Sequence, residues 1–167
     1  MYQVGDQVLY GIHGVCGIVG TEKRSIDRKK VEYFILEPVN QPDARYYVPT
    51  QNQAALNKLR RIMTPQELDA LLCSDEVRQD CWISDENQRK SRYKDLINSG
   101  DRGALLSMVR TLHQHRDAQA AAGRKFHLCD ENFLRDAQKL LESEFSLVLG
   151  IEPAQVGPYV LQKLNIE

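Results

Sequence analysis

The stretch Val4–Ile26, "VGDQVLYGIHGVCGIVGTEKRSI", decides the fold of the first part of the chain. It is rich in β-branched and aromatic residues, which favour a pleated, half-buried backbone. Gly5-Asp6 and Gly11 to Gly14 punctuate it as turns. Three further runs continue the pattern: "KVEYFILEP", "RYYVPT" and "NKLR", separated by Asp27 and by "NQPD". About five short strands in some 60 residues are too few for a broad sheet with a covered face. The economical solution is a small, strongly curled barrel over residues 1–61, because closure hides the strand edges. Gly14, Gly17 and Gly20 permit the bending that such curling needs.

From Met63 the periodicity becomes helical. Thr64, Pro65 and Glu67 form a start signal: a cap, a proline at the first helical position and an acid three after the cap. A second helix is expected from Ser84 to "NSGD", with Gly100 as its terminating glycine. Asp101 caps a third, whose Leu105, Met108, Val109 and Leu112 recur at helical spacing. Asp130 is expected to start a long fourth helix that stops at Gly150, and Pro153 opens a short fifth one. The sequence therefore predicts an α+β protein of two domains: a small β-barrel, then an all-α domain of five helices over residues 64–167.

The chain has 167 residues and a formal net charge of −1. It shows no apolar run of membrane-spanning length and no secretory pattern at its start, which points to the cytosol. Cys16, Cys73, Cys81 and Cys129 stand singly and read as reduced thiols. His113 and His115 lie two apart, about 200° around a helix, and would not share one metal ion with His127 and Cys129. No phosphate-loop, dinucleotide, metalloprotease or nucleophile-elbow motif is present. His13 and Cys16 sit in a glycine-rich strand pattern, and Glu142 and Glu144 point to different helix faces. No enzyme, cofactor, metal or small-molecule substrate is expected.

The order and spacing of "VGDQVLYGIHGVCGIVGTEKRSI", "VEYFILEP" and "YYVP", then "RYKDLINSGD", "MVRTLH" and "AQKLLESE", resemble the CarD/CdnL family of bacterial transcription regulators. The first half also resembles the polymerase-interacting domain of transcription-repair coupling factor. The resemblance implies a Tudor-like or SH3-like barrel that binds the β subunit of RNA polymerase. It implies a helical domain that meets promoter DNA at the upstream edge of the bubble and so stabilises the open complex; with so few phosphate contacts, DNA binding by this chain alone is expected to be weak and not sequence-specific. Carried onto this chain, the polymerase-facing positions are Arg24 and Ile26, with Arg45 or Tyr47 supplying the second contact. The family's DNA wedge is a tryptophan, and its neighbouring cations touch phosphates.

The only tryptophan here is Trp82, in "CWISDENQRKSRYK". It lies seven residues further from the tyrosine of "RYK" than the family pattern has it, about two helical turns. Trp82 is therefore read either as a displaced wedge or as a core residue packed with Cys81 and Ile83. Arg89, Lys90, Arg92 and Lys94 are the candidate phosphate contacts, of which about half can face DNA. The competing reading is an adaptor that binds polymerase or another protein without touching DNA.

Overall fold

The computed structural model describes residues 1–164 and divides into two compact units, Met1–Ile62 and a second beginning at Met63. The first is built from β1 (Gln7–Tyr10), β2 (Val15–Ile26), β3 (Lys29–Pro38), β4 (Tyr46–Pro49), a short helix α1 (Gln53–Leu56) and β5 (Leu59–Arg61). All pairings are antiparallel, in the order β4-β3-β2-β1-β5. The sequence predicted closure into a barrel, whereas β4 and β5 are the two ends of this order and the ladder between them is not made. A register shift between Ile18 and Gly20 bends β2 at its middle. Val8, Cys16, Ile18, Leu36, Val48 and Leu59 bury against one another on the concave side, supported by Tyr2, Phe34, Tyr46 and Leu56. Burial pushes the Cys16 thiol up to about 11, so it packs as an inert apolar group.

The second unit contains α2 (Pro65–Leu72), α3 (Glu86–Ser99), α4 (Arg102–Ala121), α5 (Leu128–Leu149) and α6 (Pro153–Lys163). Thr64 and Glu67 exchange side-chain and backbone hydrogen bonds in a reciprocal cap that fixes the start of α2. Asp85 and Asp101 cap α3 and α4 through the backbone N–H groups of Gln88 and Ala104. Gly100 and Gly150 end α3 and α5 with φ of 64° and 65°, where a side chain would be strained. The core gathers Leu68, Leu72, Val77, Tyr93, Leu106, Met108, Leu112, Leu134 and Phe145, among others.

Glu144 and His113 are among the buried polar groups of this unit. Glu144 is 1% exposed; it accepts from the Arg102 side chain at 2.7 Å and from the Met63 backbone N–H at 2.9 Å. His113 lies between Arg116, 2.8 Å from Nδ1, and Gln138, 2.9 Å from Nε2. A guanidinium only donates, so Nδ1 accepts and the proton sits on Nε2, where the Gln138 amide accepts it only with its oxygen and nitrogen exchanged. Burial, and then the nearby Arg116 charge, lower the His113 pKa, against the opposing pull of Asp117. Burial also lowers that of His115. The unfolded chain therefore binds protons at these sites before the folded one does. Stability is fully present above about pH 6.5 and falls as the pH drops from there toward the folded values. Thermal melts between neutral and mildly acid pH should show this loss, and His113→Gln, which can still accept from Arg116, should flatten it.

Candidate functional site

In an antiparallel ladder, directly paired residues project from the same face. Arg24 pairs with Val31, Ile26 with Lys29, Glu22 with Tyr33 and Ile35 with Tyr47. The convex face of β2-β3-β4, opposite the core, therefore presents Arg24, Ile26, Val31, Tyr33, Ile35 and Tyr47 together. Ile26 is 48% exposed, and Val31, Tyr33, Ile35 and Tyr47 are only half-buried. The Arg24 guanidinium lies 4.0 Å above the Tyr47 ring and is held by Glu22 at 2.7 Å. Hydrogen bonding to Glu22 raises the Arg24 pKa further. Arg24, Ile26 and Tyr47, selected from the sequence, are thus one continuous patch. Arg45 is exposed but lies one residue before β4, outside the ladder that organises the others. The half-buried Val31, Tyr33 and Ile35 were missed by reading residues singly; the hairpin register identifies them.

The candidate nucleic-acid residues of the second unit are not gathered in the same way. Arg89 is 2% exposed and turned into the core. Its Nε and Nη2 donate to Asp130 at 2.8 and 2.9 Å, and Nη1 donates to the carbonyl of Ile83. Burial opposes its charge, the Asp130 carboxylate outweighs that, and the guanidinium holds its proton more tightly than usual. This corrects its assignment as a phosphate contact: the cation is consumed within the fold. Lys90 is half-buried and ion-paired to Glu86 at 2.7 Å, one helical turn back. Arg92 and Lys94 are exposed, and no ion pair to either is made among the described residues. At 100° per residue they lie about 160° apart around α3, on opposite flanks of its buried Arg89-Tyr93 face.

Trp82 is half-buried, packed against the helical core. His115 stacks on its ring at 3.5 Å, tilted by 18°, and the Arg89 guanidinium lies 4.3 Å over the ring. An imidazole seated that closely fills its side of the ring, so Arg89 covers the other. The ring edge remains: with Arg92, Glu76, Gln79 and Leu96 it borders a cleft of about 370 Å³. Tyr93 is fully buried and donates to the carbonyl of Cys81, which ties the segment carrying Trp82 to α3. Among the described residues, no group of three or more His, Cys, Asp or Glu is placed to hold a metal ion. None of the described helices is long and apolar enough to cross a membrane.

The first unit is thus a small sheet whose face opposite the core offers aromatic and aliphatic side chains beside a fixed cation. Residues 2–63, within the first unit, match the family model of the CarD-like/TRCF RID domain. Over the whole chain there is similarity to "Putative transcription factor YdeB" of Bacillus subtilis strain 168. That protein is 23% identical over 172 residues, spanning 95% of this chain and 99% of the relative.

Proposed function

We propose that this protein is a non-enzymatic transcription regulator that docks on RNA polymerase through its first unit, at the β subunit. The second unit then contacts promoter DNA at the upstream edge of the bubble and stabilises the open complex. The observation that carries the reading is the convex patch of Arg24, Ile26 and Tyr47 on a CarD-like domain. Interface energy concentrates in arginine and aromatic anchors of this kind. The Glu22 contact holds Arg24 in place before binding, which reduces the ordering cost. In the second unit, Arg92 and Lys94 are the available phosphate contacts, with Lys90 able to exchange Glu86 for phosphate. Weak DNA binding is sufficient once the first unit is docked, because the second then acts at high effective concentration. About 1.4 kcal/mol of stabilisation shifts the open-complex equilibrium tenfold.

The test is association of the full chain with purified bacterial RNA polymerase. Arg24→Ala combined with Tyr47→Ala should weaken binding by about 30-fold, the effect of removing a hot spot worth about 2 kcal/mol. The melting temperature should hardly change, since both residues lie on the outer face. Unchanged affinity would remove the proposed docking face. The adaptor reading is favoured by one observation: the cations of α3 do not converge, because Arg89 is buried and Arg92 and Lys94 face apart. It stands if Lys94→Gln and Arg92→Gln leave open-complex lifetime unchanged while polymerase binding persists.

A further inference from the structure

β1 pairs with β2 only at Val15 to Gly17, and β4 pairs with β3 only at Tyr33 to Leu36. Residues 23–32 therefore pair with one another alone, as a two-stranded ribbon beyond the body of the sheet. Its base is marked by Thr50, whose N–H and hydroxyl both donate to the Glu32 carbonyl. From Lys23 to Ile26 it is about 13 Å long.

This ribbon holds a dense cluster of exposed positive charge. Residues 23–32 contain Lys23, Arg24, Arg28, Lys29 and Lys30, all exposed, against Asp27 and the half-buried Glu32, in a protein whose net charge is −1. Among the described residues only Arg24 of these five cations is ion-paired, to Glu22. The register sorts them by face. Arg24 and Lys29 share the convex face with Ile26, whereas Lys23, paired with Glu32, and Lys30, paired with Ser25, point the other way. Lys23 and Lys30 are diagonal neighbours, about 7–8 Å apart. The tip adds a conformational clue. Asp27 and Arg28 have φ of 49° and 65°, the signature of a two-residue hairpin turn in which asparagine and glycine are the easy choices. Arginine there is strained, because its Cβ crowds the backbone in the left-handed region. The chain places a cation at the ribbon's end where glycine would be the easier residue.

We propose that the face of Lys23 and Lys30, together with Arg28 at the tip, is a second nucleic-acid contact that grips the phosphate backbone of duplex DNA. A two-stranded ribbon is one of the two elements that the major groove of duplex DNA admits. This face is polar and cationic and lacks the aromatic residues of the convex face, as suits a phosphate-positioning surface. The contact is independent of the α3 cations and uses the face that polymerase docking leaves open.

The experiment is anisotropy of a labelled duplex oligonucleotide titrated with the full chain over a series of salt concentrations. Each phosphate contact contributes about 0.9 to the magnitude of the log–log salt slope. Lys23→Gln with Lys30→Gln should lower that magnitude by about 1.8, and Arg28→Gly by about 0.9. Arg28→Gly cannot act by unfolding the hairpin, because glycine suits that φ; its melting temperature should hold or rise. Lys94→Gln, measured in parallel, reports the second unit, so failure of either contact is seen separately. The proposal is overturned if the ribbon variants leave the slope unchanged, or if the full chain does not bind the duplex at low salt. It is equally overturned if those variants weaken binding to RNA polymerase and not to DNA, which would make the partner an acidic protein surface.

Discussion

Replacing Asp130 with alanine should destabilise the second unit by about 3–5 kcal/mol, the largest effect expected of any single substitution in this chain. Asp130 is fully buried and forms both bonds of a forked pair with Arg89, which is itself 2% exposed. Removing the carboxylate leaves a guanidinium that cannot lose its proton and cannot reach water without unpacking α3 from α5. The damage spreads, because Arg89 also donates to the Ile83 carbonyl and covers Trp82. The sum is a large part of the roughly 5–15 kcal/mol by which a domain is stable. Arg89→Met should cost less, since it leaves an aspartate in the first turn of α5, where the helix dipole favours its charge, and a carboxylate, unlike a guanidinium, can also be neutralised by a proton. Combining Arg89→Met with Asp130→Leu should recover part of the loss, as replacing both members of a buried pair often does. Urea unfolding followed by tryptophan fluorescence checks all three, because Trp82 is the only tryptophan and reports on this unit alone. A cost below about 1 kcal/mol for Asp130→Ala would mean that the pair is far more hydrated than its burial implies.

The Arg89–Asp130 pair also shows where a sequence stops being legible. Arginine is mostly a surface residue, and four cations in six positions read as a solvated basic helix. What turns Arg89 inward is a carboxylate 41 residues further on, a partner that helical periodicity does not reveal. Asp130 was misread from the other side. It was expected to start α5, yet the helix begins at Leu128 and the carboxylate is spent on Arg89. Local signals fared better. The Thr64–Glu67 cap and the glycines at 100 and 150 stand where their chemistry placed them, because those choices are made within one turn of chain. The strands were legible from β-branched composition, but closure of the sheet depends on a ladder between β4 and β5 that no local pattern encodes. The four-residue α1 carries no repeat long enough to read. Arg24, Ile26 and Tyr47 came together because strand alternation puts Arg24 and Ile26 on one face, and the hairpin register adds Tyr47 to it.

Trp82 is expected to act through packing, and two substitutions separate that role from insertion into DNA. Trp82→Ala removes the stack on His115, the cation–π contact with Arg89 and part of the core edge. Stacking and cation–π terms are each worth about 0.5–1.5 kcal/mol, so with lost burial the total is roughly 2–3 kcal/mol. Trp82→Leu should cost nearly as much, because leucine fills some of the volume but offers neither His115 nor Arg89 a π face. A minor-groove wedge ranks them otherwise: leucine serves as an intercalating side chain and alanine does not. At a temperature where both variants remain folded, packing predicts open-complex lifetimes within about twofold of the unsubstituted protein for each. A wedge predicts a lifetime shortened about tenfold by alanine, or about 1.4 kcal/mol, and largely kept by leucine. Solute quenching gives the same decision without promoter DNA. With both ring faces covered, Trp82 should be quenched by acrylamide much less than a free indole, and the Asp130→Ala variant, by releasing Arg89, should raise that quenching. An indole that is fully accessible in the folded protein would end the packing role and restore the wedge.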